Sequence, residues 1–220
     1  MGNVFAIVSG RPVAELFKMV KDFSFECDYL VAHNGAVIAQ PSGEIAFLTK
    51  CDGSIAEPVF KLLFENGCKW ATVGSTTIYK VYAEETDCEG ESDYTLHDLP
   101  EIPYFTQIST KCVDCDTAEK ITNIIKERMG DVLNPLQNGI CIDIVRADMN
   151  KAKGLYRLMD IVGAKYEDVI TVGDNLNDLD MIKEFKSYAM ENGVDMIKKT
   201  ANYTTPGVAE LIDKELSNKF

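Results

Sequence analysis

Apolar residues at the two ends of the chain follow the pattern of alternating strands and helices. Residues 4–8 form a continuous apolar run, which is typical of a strand buried on both faces of a parallel sheet. From Pro12 onward, apolar residues recur at helical spacing, at positions 13, 16, 17 and 20. The same patterns predict strands at 29–32, 169–172 and 187–190, and helices at 155–162, 179–185 and 208–216. This alternation predicts a doubly wound α/β core with a parallel sheet.

The middle of the chain has a different pattern, which predicts an α+β domain. A hairpin is predicted over residues 36–48, and Asp116 is predicted to cap a helix. The other elements expected here are a helix near 57–65 and strands near 70–73, 78–83 and 141–145. We therefore predict a core made of residues 1–35 and 146–220, with residues 36–145 inserted as one α+β cap domain.

Composition and charge narrow the classes of function. Over 220 residues, 46% are hydrophobic and 26% are charged, as in ordinary globular proteins. The formal net charge of −13 argues against nucleic-acid and membrane partners, since both require clustered lysine and arginine. No apolar run approaches the ~20 residues of a membrane span, and no basic stretch precedes the first apolar run, as a secretory signal requires. We therefore expect a cytoplasmic protein.

The cysteines agree with that expectation. Seven cysteines, an odd number at scattered positions, favour free thiols in a reducing compartment over a disulfide framework. Cys112 and Cys115 form a lone CxxC without the second pair of ligands that structural zinc requires. We therefore expect no metal or redox role for this motif.

Two loops carry residues suited to binding phosphate. Ser9, Gly10 and Arg11 follow the first predicted strand, and ligands of open α/β sheets bind beyond the carboxyl ends of the strands. A hydroxyl, a glycine and an arginine suit a phosphate-binding turn, although Ser-Gly-Arg is also common in ordinary turns. Lys151 or Lys153 lies at the start of a helix, against the preference of the helix dipole. This position suggests an anionic partner nearby, although a solvated lysine is the commoner explanation.

A third loop, residues 173–178, is rich in carboxylates and amides. Asp174 comes directly off a predicted strand, and Asn177 and Asp178 return on the first turn of the next helix. One helix cap does not need four polar side chains in six positions, so capping alone does not account for the loop. Mg²⁺ prefers oxygen ligands, usually one or two carboxylates with water and phosphate. The loop therefore predicts a Mg²⁺ site that serves phosphate chemistry.

Together these motifs resemble the haloacid dehalogenase (HAD) superfamily, specifically its Cof-type (subfamily IIB) phosphatases. Val-Ser-Gly-Arg-Pro at 8–12 is similar to the second motif of the family. Asn-Lys-Ala-Lys-Gly-Leu at 150–155 is similar to the third, and Val-Gly-Asp-Asn-Leu-Asn-Asp-Leu-Asp-Met at 172–181 to the fourth. His-Asn-Gly-Ala at 33–36 resembles the segment that leads into the cap of this branch. The resemblance implies a HAD-like α/β core with an inserted α+β cap, which acts as a lid and selects the substrate.

The resemblance also implies roles for residues near the phosphate. Ser9 is expected to hold the transferring phosphoryl group, with Gly10 and Arg11 beside it. Asn34 and Gly35, in the segment before the cap, are expected to contact the substrate.

The resemblance further implies which residues neutralise the charge of the phosphoryl group and which ligate Mg²⁺. The motif lysine is expected to neutralise the phosphoryl group, and Lys151 fits the family spacing to the following leucines better than Lys153. Asp174 and Asp178 are expected to ligate Mg²⁺, with Asn177 supporting them at the substrate.

One family motif is not found in these 220 residues. The chemistry of the family runs through an aspartate nucleophile in an Asp-x-Asp-Gly-Thr motif at the end of the first, central strand. No such motif precedes Ser9, and the Asp-x-Asp at 114–116 precedes a helix in the predicted cap, where capping is the expected role. We therefore expect an N-terminally truncated chain that lacks the central strand and is inactive by itself. Direct pairing of the flanking strands, a homo-oligomer with a strand swap, or a separately expressed upstream segment would repair the sheet.

The expected function is a Mg²⁺-dependent phosphatase, a phosphoric monoester hydrolase of small phosphorylated metabolites such as sugar phosphates. By resemblance it acts through a phospho-aspartyl intermediate. The alternative is a non-catalytic homologue that binds a phosphorylated ligand or a protein partner. A nucleotide-binding module is a third alternative, but no Gly-x-Gly-x-x-Gly or Walker sequence supports it.

Overall fold

The chain divides into two compact units. The computed structural model describes residues 2–75, 77–88 and 93–217. Packing separates residues 1–154 from residues 155–220. The division into a core of residues 1–35 and 146–220 with an inserted cap of residues 36–145 stays a prediction.

The elements alternate between strands and helices, most regularly at the two ends of the chain. The strands of the first unit are β1 (Ala6–Val8), β2 (Tyr29–Ala32), β3 (Val37–Ala39), β4 (Ile45–Leu48), β5 (Cys51–Asp52), β6 (Trp70–Gly74), β7 (Ile78–Tyr82), β8 (Asp93–Thr95), β9 (Tyr104–Phe105), β10 (Gln107–Lys111), β11 (Leu133–Asn138) and β12 (Cys141–Arg146). Its helices are α1 (Val13–Asp22), α2 (Ala56–Glu65) and α3 (Cys115–Met129), and α4 (Lys151–Val162) continues into the second unit. The second unit contains β13 (Ile170–Gly173), α5 (Leu179–Glu184), β14 (Lys186–Met190), α6 (Asp195–Thr200), β15 (Tyr203–Thr205) and α7 (Val208–Ser217).

A four-stranded sheet in the order β1-β2-β3-β4 carries the first candidate loop. β1 and β2 are parallel, whereas β2–β3 and β3–β4 are antiparallel pairs. Val13 and Leu16 of α1 pack with Leu30 and Val37 of the sheet, because the helix presents its apolar side chains on one face. Among the described residues β1 pairs on one side only, so it is an edge strand of this sheet.

A six-stranded sheet in the order β11-β12-β10-β6-β7-β8 forms the larger layer of the first unit. Helices α2 and α3 pack on one face of it, in a core that includes Ile108 and Ile144. Side chains alternate between the two faces of a strand, so Gln107, Ser109 and Asp143 lie on the opposite face. The pairing register places Ser109 of β10 directly opposite Asp143 of β12.

The second unit contains a three-stranded parallel sheet in the order β13-β14-β15. Tyr188 and Ala189 of the central strand are buried, as expected for a strand covered on both faces. Helices α5 and α6 connect the three strands, which is the strand–helix alternation that the sequence predicted. β13 ends at Gly173, where the carboxylate-rich loop of residues 173–178 begins.

Most predicted elements are present, and two kinds of error are informative. Helix α3 is capped by Asp114 rather than by Asp116, because a cap residue needs extended backbone and Asp116 already lies in the first helical turn. The Asp114 carboxylate accepts a hydrogen bond from the Thr117 N–H at 2.8 Å. The other error is omission, since strands β5, β8, β9, β10, β11 and β15 and helix α6 were not predicted.

The apolarity of the helices and the state of the cysteines are two further features of the fold. Within the described ranges, no helix combines the length and apolarity needed to cross a membrane. All seven cysteines are free thiols, as their number and spacing predicted.

Candidate functional site

The first candidate loop is a tight turn directly after β1. The Ser9 N–H continues the pairing with β2 by donating to the Val31 carbonyl at 2.8 Å. The Ser9 hydroxyl accepts a hydrogen bond from the Arg11 N–H at 3.1 Å, which closes the turn. We call residues 9–11 the phosphate turn, after its predicted role.

A second turn at residues 33–35 lies against the phosphate turn. The Asn34 N–H donates to the Ser9 carbonyl at 3.0 Å, and the His33 N–H donates to the Arg11 carbonyl at 3.1 Å. His33 and Asn34 have positive φ angles of 49° and 51°, a left-handed conformation that is uncommon for residues other than glycine. Uncommon backbone geometry of this kind persists only where surrounding contacts hold it in place.

Four side chains behind these turns form a closed hydrogen-bonded ring, which we call the polar ring. The Asn34 Nδ2 group donates to Gln107 Oε1 at 3.0 Å and to Asp143 Oδ2 at 2.9 Å. Gln107 Nε2 lies 2.8 Å from Ser109 Oγ, and the Ser109 hydroxyl donates to Asp143 Oδ1 at 2.8 Å. Gln107 Nε2 also donates to the Gly10 carbonyl at 2.9 Å, so the ring is attached to the phosphate turn.

The ring packs directly on the backbone of Gly10. A Cβ atom at this position would lie 2.6 Å from Asp143 Oδ2 and 3.0 Å from Asn34 Nδ2, closer than real contacts allow. Burial raises the pKa of Asp143, although hydrogen bonds from Asn34 and Ser109 and the charge of Lys151 act in the opposite direction. Part of the Asp143 surface stays accessible, but its carboxylate is enclosed by protein atoms.

Of the two candidate lysines, Lys151 is the one that faces inward. Lys151 is only 5% exposed, whereas Lys153 is exposed. Both lie in the first turn of α4, where the Asn150 side chain accepts a hydrogen bond from the Lys153 N–H at 2.8 Å. A buried ammonium group is costly unless anions or hydrogen-bond acceptors surround it, and the charge of Lys151 acts on Asp143. Phosphate binding by Lys151 stays a prediction.

Glycines 35 and 154 let α4 approach the turn at residues 33–35. A Cβ atom on Gly154 would lie 2.4 Å from Gly35 Cα, and one on Gly35 would lie 2.3 Å from the Asn150 carbonyl oxygen. Gly35 also has φ +98°, which side chains rarely tolerate. Gly35 therefore has a structural role in addition to its predicted place at the substrate.

The side chains of Arg11 and Asn34, both predicted to contact the substrate, interact with other residues of the protein. Arg11 is exposed and its Nη1 lies 3.3 Å from Glu15 Oε2, in an ion pair on the first turn of α1. Asn34 is 0% exposed, and protein acceptors use both of its N–H groups. Its Oδ1 atom is buried and has no hydrogen-bond partner among the described residues. Direct contact of either side chain with a substrate stays a prediction.

In the second unit, the loop after β13 is organised by Asp178. Its Oδ2 atom accepts hydrogen bonds from the N–H groups of Asp174 at 3.0 Å and Asn175 at 3.2 Å. Asn175 caps the following turn and forms a capping box with Asp178. Gly173 allows this approach, because a Cβ there would lie 2.6 Å from the Asp178 Cβ. Asp178 is 4% exposed and holds the backbone of the loop.

Asp174 and Asn177 differ from Asp178 in their exposure. Asp174 is exposed at the end of β13, and its carbonyl accepts a hydrogen bond from the Val194 N–H at 2.9 Å. Asn177 is half-buried. The described residues contain no cluster of three or more His, Cys, Asp or Glu side chains that could hold a metal. Mg²⁺ needs only one or two carboxylates, so an exposed Asp174 on a loop fixed by Asp178 fits this cation.

Sequence reasoning missed three residues of the polar ring. Gln107, Ser109 and Asp143 belong to segments read as part of the cap, and only the strand at Asp143 was predicted. The alternation of polar Gln107 and Ser109 with apolar Ile108 was a signal for a strand with one polar face. The run is too short for this alternation to predict a strand by itself.

Comparison with known proteins places the chain in one family. The sequence profile of the haloacid dehalogenase-like hydrolases matches residues 1–210. A 5-amino-6-(5-phospho-D-ribitylamino)uracil phosphatase of Escherichia coli K12 is 21% identical over 238 residues, which cover 99% of this chain and 85% of the relative. A phosphatase of the same name from Bacillus subtilis 168 is 41% identical over 83 residues, covering 34% of this chain and 30% of the relative.

The solved structures agree on the fold. SMU.1108c from Streptococcus mutans UA159 superposes with a TM-score of 0.82 at 20% identity, covering 97% of this chain and 86% of that protein. This likeness confirms the predicted HAD-like α/β fold. The profile match spans most of the sequence, including the three motifs that carried the resemblance. The chain therefore belongs to the haloacid dehalogenase-like hydrolase family.

Proposed function

We propose that this chain is a phosphatase component that acts on small phosphorylated metabolites. The observation that carries the proposal is the buried Lys151, which lies in the same unit as the phosphate turn and acts electrostatically on the polar ring attached to it. The relatives from Escherichia coli and Bacillus subtilis, named as phosphatases of a phosphorylated uracil derivative, support the substrate class.

In this proposal the first unit binds the phosphoryl group. The Ser9 hydroxyl and the backbone of the phosphate turn face the phosphoryl oxygens, and Lys151 neutralises part of their charge. Charge-assisted hydrogen bonds of this kind are stronger than neutral ones. The enclosure of Lys151 strengthens its electrostatic effect, because fewer water molecules screen the charge.

The second unit would hold Mg²⁺ through the Asp174 carboxylate. Asp178 keeps the loop in shape through its two backbone hydrogen bonds, and Asn177 is a further polar side chain on the same loop. When bound, Mg²⁺ would supply positive charge, which is its contribution to phosphoryl chemistry.

We propose further that these 220 residues bind phosphate but do not turn substrate over by themselves. The acyl-phosphate chemistry implied by the family needs an Asp-x-Asp motif ahead of Ser9, and none is found there. Covalent catalysis requires the nucleophile within near hydrogen-bonding distance of the reacting atom, so carboxylates elsewhere do not replace it. The second candidate function is a homologue that binds a phosphorylated ligand without catalysis, for which the phosphate turn and the buried Lys151 would suffice.

The test has a binding arm and a turnover arm. Calorimetry with inorganic phosphate and Mg²⁺ should show binding that Lys151→Ala weakens by roughly 10- to 100-fold, the loss of a charge-assisted hydrogen bond. Lys153→Ala, on the same helical turn, is the matched control and should bind like the unchanged chain. Absence of phosphate binding would refute the proposal.

The turnover arm separates the two candidate functions. Hydrolysis of p-nitrophenyl phosphate is measured for the chain alone and for a version that carries a strand with Asp-x-Asp-Gly-Thr joined ahead of residue 2. Activity that appears only in the extended version, and disappears with Asp174→Asn, supports the phosphatase. Phosphate binding without activity in either version supports the binding protein.

A further inference from the structure

We infer that Gln107, Ser109 and Asp143 are positioning residues, which hold the phosphate turn in its binding shape from strands β10 and β12. This inference rests on the proposed function, because it assigns a task to residues beside the phosphate-binding turn. None of the three belongs to the motifs that identify the family, and none is expected to touch the substrate.

The contacts between the ring and the phosphate turn are direct. Gln107 Nε2 donates to the Gly10 carbonyl, and Asp143 Oδ2 lies where a Gly10 side chain would otherwise be. Asn34 adds a second connection, because its backbone N–H donates to Ser9 while its side chain donates to Gln107 and Asp143. A displacement of the ring would therefore move both the carbonyl of Gly10 and that of Ser9.

The direction of the hydrogen bonds makes the ring selective for a carboxylate at position 143. Asn34 donates to one oxygen of Asp143 and Ser109 donates to the other. An asparagine at 143 has almost the same volume, but one of its two terminal groups is itself a donor. The amide nitrogen of the new side chain would face either the Asn34 amide group, or the Ser109 hydroxyl together with Gln107 Nε2, which lies 3.3 Å from Asp143 Oδ1. The hydroxyl can accept instead of donate, but neither amide nitrogen can, so each orientation sets two donors against each other and weakens the ring.

Charge and geometry make opposite predictions for Asp143→Asn, which makes this variant decisive. A carboxylate that packs against the phosphate turn repels a phosphate anion, so removal of its charge alone should tighten binding. Positioning predicts the opposite, since the ring would open and the turn would lose its shape. Asp131→Asn removes one negative charge from an exposed site of the same unit and is the matched control.

The experiment measures two quantities on the full chain. The first is the affinity for inorganic phosphate with Mg²⁺, which Asp143→Asn and Gln107→Leu should weaken by about 5- to 30-fold, the loss of one or two net hydrogen bonds. The second is amide hydrogen exchange of His33 and Asn34, whose N–H groups bind the carbonyls of the phosphate turn. Exchange of these two amides should become faster in both variants and stay unchanged in Asp131→Asn.

A milder pair of variants guards against simple unfolding. Ser109→Ala removes the hydroxyl that bridges Gln107 and Asp143, whereas Ser109→Thr keeps it on a strand that favours β-branched residues. Ser109→Ala should weaken phosphate binding and speed amide exchange at His33 and Asn34. Ser109→Thr should leave both the affinity and the exchange rates as in the unchanged chain. A loss of overall stability alone would speed amide exchange throughout the unit, and this increase would not depend on whether position 109 carries a hydroxyl group.

The outcomes separate the inference from the function on which it rests. If the unchanged chain binds no phosphate, the proposed function is refuted, and exchange at His33 and Asn34 still decides whether the ring holds the turn. Unchanged exchange in the ring variants overturns the inference. Phosphate binding by Asp143→Asn that equals or exceeds that of Asp131→Asn overturns it as well.

Discussion

His33 makes the stability of the first unit depend on pH. The side chain is 2% exposed, and burial lowers the pKa of His33 from 6.5 to about 4. The Thr106 hydroxyl donates to the Gly74 carbonyl at 2.8 Å, so it accepts from the Nδ1–H of a neutral His33. The perturbation is a fall in pH from 8 to 5, in which the unfolded chain protonates this histidine and the folded chain does not.

The size of the effect follows from the two pKa values. A histidine with a lowered folded pKa contributes its full stability above the unfolded value of 6.5. That stability is lost as the pH falls from 6.5 towards 4, because protons then bind preferentially to the unfolded chain. The pKa difference corresponds to about 3 kcal/mol in the limit of low pH, and about 2 kcal/mol of it is lost by pH 5. Since the side chain is enclosed, solvent screening reduces this figure little.

Urea unfolding at pH 8 and pH 5, followed by fluorescence of the single tryptophan Trp70, measures the loss. His33→Asn removes the titrating group and keeps a residue that tolerates positive φ. The unchanged chain should lose about 2 kcal/mol more than His33→Asn between the two pH values. His97→Asn, at the exposed second histidine, should behave like the unchanged chain. Equal losses in the unchanged chain and in His33→Asn would refute the reasoning.

Three further predictions test other parts of the structure. Gly154→Ala should destabilise the first unit by about 1–3 kcal/mol in urea, because its Cβ would lie 2.4 Å from Gly35 Cα, whereas Gly2→Ala meets open space and should change little. Asp178→Ala should lower the free energy of unfolding by about 1–2 kcal/mol, and with it the melting temperature, because two backbone N–H groups lose their acceptor. An equal loss of stability in Asp174→Asn would contradict this. Iodoacetamide should modify the exposed Cys115 and Cys141 before the buried Cys51 and Cys112, because burial raises the pKa of Cys51 to about 11, and burial with the neighbouring Cys68 raises that of Cys112 to about 12. Mass spectrometry reads this order, and early labelling of Cys112 would contradict it.

The parts of the fold that the sequence predicted are those with local signals. Helix α1 and strand β2 have apolar patterns that fix their type and nearly their ends. The loop after β13 was recognised because its polar residues are contiguous in sequence. The sequence did not show that Asp178 holds the loop backbone while Asp174 stays exposed. This difference depends on the geometry of the turn.

The polar ring shows where sequence reasoning stops. Its closure depends on the register that places Ser109 opposite Asp143, and on the left-handed turn that brings Asn34 to both strands. A register is set by contacts between distant segments, and a shift of one residue would turn these side chains to the other face. Likewise, Lys151 is buried and Lys153 is exposed, a difference in packing for which the sequence has no local signal.

The open edge of β1 has a consequence for how the protein behaves in concentrated solution. Main-chain groups on an unpaired edge can pair with a strand from another molecule, which is a route to association. The net charge of −13 opposes such encounters at neutral pH, and this repulsion acts over only about 10 Å in 0.1 M salt. Colloidal stability should therefore decline in high salt and near the isoelectric point of about 4.6, where light scattering would register the growth of larger species.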